Sequence, residues 1–149
     1  MRVRAASRAD FEAVTALLEL LGRPKVTDAT REDCRAVFEE QVVDPNAHHI
    51  VAEDEEGRVV GFCSLHFRER LNFPTEEAWV PDLIVTDSAR RRGIAAVILA
   101  EVERRARARD CHAIQLESGY QRAEAHHLYR QAHYRDAGKS FYKPLDYSD

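Results

Sequence analysis

The segment from Asp82 to Ala96 combines residue types that could hold a phosphate group. A short apolar run, Leu83–Val85, ends in a polar turn, and the turn opens a stretch of helical periodicity that contains Gly93. The first turn of a helix carries backbone N–H groups without internal partners, and the helix dipole makes that end electropositive. Glycine has no Cβ, so a phosphate can approach its backbone closely. The segment therefore predicts an anion site suited to phosphate.

Three consecutive arginines, Arg90, Arg91 and Arg92, have two interpretations. Their guanidinium groups could pair with phosphate oxygens, or they could form the solvated start of a helix. The two common glycine fingerprints, Gly-x-x-x-x-Gly-Lys-Ser/Thr and Gly-x-Gly-x-x-Gly, are absent from the segment. The turn alone therefore does not identify its ligand.

Hydrophobic periodicity predicts the elements that lead to this turn. A strand at 2–6 precedes a helix that begins after the N-cap Ser7 and stops at Gly22, and a second helix runs from Thr30 to about Val43. A hairpin follows, with strands at 49–53 and 58–67. The next strand, 78–85, contains Pro81, which would remove a ladder donor and favours a bulge.

After the turn, the pattern predicts a helix at 90–109, a strand at 113–117, a helix at 123–132 and short strands at 134–135 and 140–144. The order is β-α-α-β-β-β-α-β-α-β-β, which indicates an α/β domain. A length of 149 residues is that of one ordinary domain, so we expect a single domain over 1–149.

Composition excludes some classes of function. The net charge of −4 argues against a nucleic-acid binder, which usually carries a basic excess. Three widely spaced cysteines favour reduced thiols over a disulfide framework or a metal site. The start of the chain lacks the apolar run of a signal peptide, and no apolar stretch approaches the roughly 18 residues of a membrane span. We therefore expect a cytoplasmic protein.

Histidines occur in two adjacent pairs, His48-His49 and His126-His127. Metal ligands on a helix are usually three or four residues apart, and adjacent side chains point in different directions. We therefore expect surface histidines and no metal site.

The turn and the last predicted helix together resemble the GNAT superfamily of N-acetyltransferases over essentially the whole chain. That family's cofactor motif, Arg/Gln-x-x-Gly-x-Gly/Ala after a strand, is matched by Arg90, Gly93 and Ala95. The segment 122–129 resembles its second signature, in which an alanine, here Ala125, stands four residues before a tyrosine, here Tyr129.

The resemblance implies an α/β (α+β) GNAT-type acyl-CoA N-acyltransferase fold, with a mixed central sheet of about seven strands flanked by about four helices. It also implies direct transfer from acetyl-CoA, without a metal, to a primary amine of a small molecule or peptide. Many relatives are dimers, so a homodimer is possible. The implied cofactor-binding residues are Leu83, Ile84, Val85, Arg90, Arg91, Arg92, Gly93, Ile94, Ala95, Ala96, Arg122 and Ala125.

The resemblance also suggests which residues perform each step of the reaction. The backbone of 83–85 would pair with the pantetheine arm and polarise the thioester carbonyl. Tyr129 would be the general acid, because the family's tyrosine at this position lies near the thioester sulfur. Its location on an apolar helix face also allows a purely structural role. The loop 22–30, the second helix and the loop 71–77 would select the substrate.

This sequence departs from the family at three positions. Pro81 stands where many relatives carry a glutamate base, Arg122 replaces an asparagine that contacts the cofactor, and His133 replaces a glycine at the end of the last helix. Asp82 and Glu117 are the candidate bases, although Asp82 could bind the substrate ammonium instead, and water could relay the proton. The missing glutamate also leaves an inactive CoA-binding sensor as an alternative function.

Overall fold

The computed structural model describes residues 1–90, 92–117 and 123–145. The described residues form seven strands and four α-helices, with single 3-10 turns at Arg8–Asp10 and Asp87–Ala89. In chain order the elements are β1 Arg2–Ala5, α1 Phe11–Leu21, α2 Arg31–Val43, β2 Ile50–Glu53, β3 Val59–Cys63, β4 His66–Arg68, β5 Glu77–Val80, β6 Leu83–Val85, α3 Ile94–Ala108, β7 Ala113–Leu116 and α4 Ala123–Gln131. The predicted fold class, with its seven strands and four helices, is confirmed.

The strands belong to two sheets. The first has the order β1-β2-β3-β6 and is antiparallel throughout. The second has the order β4-β5-β7, in which β5 and β7 are parallel. The mixed arrangement is thus divided between two sheets. The chain passes from one to the other three times: between β3 and β4, between β5 and β6, and through α3 between β6 and β7.

The first two crossings are at positions where the sequence predicts a continuous strand. Residues 58–67 divide into β3 and β4 at Ser64, and residues 78–85 divide into β5 and β6 at Pro81 and Asp82. The two breaks face each other: Ser64 N–H donates to the Asp82 carbonyl at 3.0 Å, and Asp82 N–H donates to Ser64 Oγ at 2.9 Å. Pro81 has no N–H to continue a ladder, so the expected bulge becomes a change of sheet.

Two further predictions are wrong. The helix after the turn begins at Ile94 and not at residue 90, because Arg90 is extended (φ −63°, ψ 152°) and Gly93 is left-handed (φ 76°). Residues 134–135 and 140–144 form no strands. Phe141 and Tyr142 are exposed instead, and a short strand without a paired neighbour is not stable in water.

Helices cover both faces of the first sheet. On one face, Phe11, Val14 and Leu17 of α1 and Phe38 of α2 pack with the sheet residues Val51, Phe62 and Ile84. On the other face, α3 contributes Ile94, Ile98, Leu99, Val102 and Ala106 to the larger core. Gly61 permits this close packing, because a Cβ there would lie 3.1 Å from Ile98 Cδ1. None of the described helices is long and apolar enough to cross a membrane.

Two helices end in the same way with different residues. At the end of α1, Gly22 is left-handed (φ 101°), and Arg23 N–H donates to the Leu18 carbonyl at 2.9 Å. At the end of α4, His133 is left-handed (φ 70°), and Tyr134 N–H donates to the Tyr129 carbonyl at 2.9 Å. The position where relatives carry glycine therefore keeps the glycine conformation, which costs a non-glycine residue about 1 kcal/mol or more.

A buried ion pair anchors the start of the chain. The Asp10 carboxylate, 6% exposed, accepts hydrogen bonds from Ser7 N–H at 2.7 Å and from Arg4 Nη1 and Nη2 at 2.7 and 2.9 Å. The Arg4 guanidinium, through these hydrogen bonds, lowers the pKa of Asp10 below its usual value. An ion pair with Arg4 of β1 thus stabilises the turn at Ser7, where the sequence predicts the start of α1.

We expect Asp10→Asn to lower the free energy of unfolding by about 1.5–3 kcal/mol at pH 7, because hydrogen bonds to a charged group are lost. The folded-state pKa is depressed, so this contribution is present above the unfolded-state pKa of about 3.9 and is lost as pH falls through the folded-state value. Urea unfolding at several pH values checks this, with the exposed Asp28→Asn as control. A stability difference that does not shrink as the pH falls below the unfolded-state pKa would contradict it.

Candidate functional site

Strand β6 lies at the edge of its sheet, with β3 as its partner within the described residues. Thr86 N–H donates to the Val60 carbonyl at 2.8 Å, and Ser64 N–H donates to the Asp82 carbonyl at 3.0 Å. Antiparallel ladders alternate, so Ile84 directs its backbone groups toward β3, whereas Leu83 and Val85 direct theirs away from it. The N–H groups of Leu83 and Val85 therefore form a free edge on which an extended ligand could be added as a strand.

The end of this edge leads directly to the start of α3. Val97 N–H makes the first intrahelical bond, to the Gly93 carbonyl at 3.1 Å, so the N–H groups of Ile94, Ala95 and Ala96 precede the helical ladder. A Cβ on Gly93 would meet no heavy atom within 4 Å. Glycine is needed here for its left-handed conformation, and the space beside it is open to a ligand.

The arginines of the turn have different surroundings. Arg90 folds back on the turn, where its Nη1 lies 3.0 Å from Asp87 Oδ1 and its Nε donates to the Val85 carbonyl at 3.4 Å. Arg92 is exposed. Arg91 lies outside the described residues, as does Arg122 of the second signature.

Tyr129 is 9% exposed and belongs to the larger core, in which Leu83 and Val85 of β6 also take part. Its ring centroid lies 6.2 Å from that of Tyr134. Ala125, one turn earlier on α4, is partly buried against the same core. Helix α4 thus places Tyr129 and Ala125 in the same core as Leu83, Val85 and the buried residues of α3.

Asp82 lies at the crossing between β5 and β6, and both of its carboxylate oxygens are engaged. Oδ1 accepts a hydrogen bond from Arg23 Nε at 2.8 Å, and Oδ2 accepts one from Ser64 Oγ at 3.0 Å. Arg23 Nη2 also donates to the Pro81 carbonyl at 2.9 Å. The first residue after Gly22, at the start of the loop 22–30, is therefore tied to the strand break.

Glu117 follows β7, beside the end of its partner strand β5. Its N–H donates to the Val80 carbonyl at 3.2 Å, the last bond between β7 and the chain before Pro81. Its side chain is exposed at the surface and accepts a hydrogen bond from Trp79 Nε1 at 2.9 Å. Asp82 and Glu117 therefore have different partners: Asp82 contacts Arg23 and Ser64, whereas Glu117 contacts β5.

A pocket of about 340 Å³ opens beside the strand break, between α1, α2 and the first sheet. Most of its wall is apolar, with Phe11, Phe38 and Phe62 among the lining residues. Its polar groups lie together and include Arg23, His49, Ser64, His66 and Asp82. This combination of apolar wall and clustered polar groups is typical of a small-molecule site.

The prediction that His49 is a surface residue is wrong, because His49 is 5% exposed. Its Nδ1 accepts a hydrogen bond from Leu65 N–H at 3.2 Å, so its Nε2 is the donor to Gln41 Oε1 at 2.6 Å. Burial lowers the pKa of His49 to about 4, and the ring therefore stays neutral. With both nitrogens engaged, His49 is a fixed part of the pocket wall.

Sequence reasoning missed His66, the first residue of β4. Its ring centroid lies 5.0 Å from that of His49 and 5.3 Å from that of Trp79. Burial lowers the pKa of His66 below its usual value. Alternation along residues 62, 64 and 66 places Phe62, Ser64 and His66 on one face, and this signal could have located the histidine.

In the described parts of the chain, no cluster of three or more histidine, cysteine, aspartate or glutamate side chains is arranged to hold a metal ion. Cys34, Cys63 and Cys111 are free thiols. Burial raises the pKa of the Cys63 thiol far above its usual value, so it is unreactive.

Comparisons with known proteins identify a family and a relative that match most of the chain. Residues 14–134 match the Acetyltransferase (GNAT) family. The aminoalkylphosphonate N-acetyltransferase of Salmonella typhimurium is 30% identical over 144 residues, which are 96% of this chain and 90% of that protein.

Solved structures show the same fold. A protein from Bacillus halodurans described as a transcriptional regulator superposes with a TM-score of 0.87 at 26% identity, over 97% of this chain and 99% of its own. An aminoglycoside 6'-N-acetyltransferase from Acinetobacter haemolyticus superposes with a TM-score of 0.77 at 16% identity, over 99% and 100% of the two chains. The chain therefore belongs to the GNAT family of acetyltransferases, and the protein is an N-acetyltransferase.

Proposed function

We propose that this protein transfers an acetyl group from acetyl-CoA directly to the primary amine of a small molecule, with both substrates bound at once. One observation carries the proposal. The free edge of β6 connects the open start of α3, at one end, with the polar groups of the pocket, at the other. A cofactor held along that edge would present its reactive end where the pocket begins.

The residues around the turn fit the cofactor's shape and charge. The N–H groups of Ile94, Ala95 and Ala96 would hold the pyrophosphate in the open space beside Gly93. Arg92 is exposed near these groups and would add positive charge, as would Arg91 and Arg122 if they lie as the family resemblance implies. Arg90 would act indirectly, because its ion pair with Asp87 fixes the shape of the turn.

The backbone of β6 would hold the rest of the cofactor. Leu83 and Val85 would pair with the pantetheine arm as strand partners, and an N–H group of this edge would polarise the thioester carbonyl. Acetyl-CoA supplies the acetyl group as a thioester. Tyr129 would donate its hydroxyl proton to the departing sulfur, as its burial in the core beside β6 supports.

The pocket would take the acceptor amine, and its charged groups suggest which amines. Asp82 would bind an ammonium group, and Arg23, whose side chain is 48% exposed, could turn from Asp82 to an acidic group of the same molecule. The Salmonella relative acetylates aminoalkylphosphonates, which carry both groups. We therefore propose that the preferred acceptor is a small amine with an acidic group at its other end.

Pro81 favours a second candidate function, because many relatives carry a glutamate base where this chain has proline. The protein would then bind CoA as a sensor without turnover. Assays of free-thiol release with acetyl-CoA and a panel of amines separate the two functions. Tight CoA binding without thiol release across the panel would support the sensor.

We expect the native protein to release CoA thiol with at least one amine, and Tyr129→Phe to lower kcat by about 100-fold, because the departing sulfur loses its proton donor. The melting temperature and the CoA dissociation constant should remain close to those of the native protein. Tyr142→Phe, which changes an exposed phenol, is the matched control. Equal kcat for both variants would contradict the role of Tyr129.

Gly93→Ala should raise the CoA dissociation constant by about tenfold. A left-handed conformation costs alanine about 1–3 kcal/mol, and the turn changes shape to relieve this strain. Gly57→Ala introduces the same kind of strain (φ 80° against 76°) in the β2–β3 hairpin. Both variants should lose similar stability, and only Gly93→Ala should lose affinity for CoA. Calorimetric titration measures this, and equal affinity in the two variants would exclude the turn as the cofactor site.

Arg23→Gln should raise KM for 2-aminoethylphosphonate by about tenfold, because the acidic group loses a charged hydrogen-bond donor. KM for an alkylamine of similar length should change less than twofold. Lys25→Gln, two residues along the same loop, is the control. A parallel increase in KM for both amines would mean that Arg23 acts through the shape of the loop and does not recognise the acid.

A further inference from the structure

We propose that His66 accepts the proton that the acceptor nitrogen loses during acetyl transfer, an assignment that depends on the proposed function. The ring of His66 lines the pocket beside Asp82 and Ser64, at the junction of the two sheets. It is the first residue of β4 and pairs with Trp79 across the ladder to β5. Both strand breaks therefore determine where this imidazole lies.

The carboxylates predicted as bases are less suited to this step. Both oxygens of Asp82 already accept hydrogen bonds, from Arg23 and from Ser64. Glu117 is exposed and accepts a hydrogen bond from Trp79. Asp82 is better placed to attract an ammonium group than to remove its proton.

The ring of His66 is available in a way that the ring of His49 is not. Among the residues the structure describes, no hydrogen bond engages either ring nitrogen of His66, whereas both nitrogens of His49 are engaged. Half-burial keeps the His66 imidazole neutral at physiological pH, the form that accepts a proton.

The charged groups around His66 come from several elements. Asp82, at the strand break, and Asp44, after α2, raise its pKa, whereas Arg68 on β4 lowers it. Burial is the largest effect, so the pKa stays below the usual value. The neighbouring His49 is neutral, and its ring N–H donates a hydrogen bond to Gln41.

The step balances without an added reactant. The neutral amine nitrogen forms a bond to the acetyl carbonyl carbon, and the bond from that carbon to sulfur breaks. The nitrogen loses one proton to His66, and the sulfur gains one from Tyr129. The products are the amide and the free thiol, and exchange with water returns His66 and Tyr129 to their starting forms.

His66→Gln tests this assignment, because glutamine keeps polarity and approximate size but cannot act as a base near neutral pH. We expect kcat at saturating amine to fall by about 100-fold, with the CoA dissociation constant within twofold of the native value. In the native protein kcat should rise with pH as His66 loses its proton, with a midpoint below the ordinary histidine pKa of about 6.5 and a plateau at higher pH, and the variant should lack this rise. His127→Gln, on the exposed side of α4, is the control and should keep both kcat and its pH profile.

Two further variants make the test independent of one substitution. Imidazole added to His66→Ala should restore part of the lost kcat. Asp82→Asn keeps His66 but removes a charge that raises its pKa, so the rise in kcat should move to lower pH. These outcomes would not follow if His66 were only part of the pocket wall.

The experiments distinguish failure of the His66 assignment from failure of the proposed function. If His66→Gln acetylates amines with the native kcat and pH profile, His66 is not the base and the proposed function stands. If the native protein binds CoA but acetylates no amine in the panel, the proposed function fails and the assignment of His66 fails with it. If His66→Gln does not fold, an unshifted pH profile in Asp82→Asn overturns the assignment.

Discussion

The break at Pro81 and Asp82 is the constraint on which the rest of the site depends. Pro81 has no N–H and cannot continue a ladder, so the chain leaves the second sheet after Val80 and enters the first at Leu83. The two sheets separate there, and among the residues that the structure describes β6 has a paired neighbour, β3, on one edge only. A continuous strand at this position would keep its backbone groups within one ladder and leave no opening for a ligand.

Ser64 makes the matching break on the neighbouring chain segment, and its side chain holds the crossing together. Its hydroxyl accepts a hydrogen bond from Asp82 N–H and donates one to Asp82 Oδ2, which replaces ladder bonds lost where the strands diverge. The same geometry turns His66 into the second sheet while keeping it on the pocket side. One pair of hydrogen-bonded breaks thus organises the free edge, the pocket and the imidazole.

The ion pair between Arg23 and Asp82 also depends on this strand break. Arg23 reaches Asp82 because the left-handed Gly22 ends α1 and directs the chain toward the strand break. The resulting ion pair is partly open to solvent, where exposed pairs contribute little stability, roughly 0–1 kcal/mol. An ion pair of this kind can therefore be exchanged for contacts with a substrate at small cost, whereas the buried pair of Arg4 and Asp10 is suited to hold structure.

Local features of the sequence were sufficient to predict the α/β class, the approximate helices, the stop of α1 at Gly22, and the membership of the family, because these depend on spacing and on residues with special backbone preferences. Tertiary structure alone decided the start of α3, the irregular conformation of residues 134–135 and 140–144, and the division of the strands between two sheets. It also decided that His49 is buried and that Arg23 meets Asp82. Such features depend on contacts between residues far apart in the chain, such as Ser64 with Asp82, which periodicity along one segment does not encode.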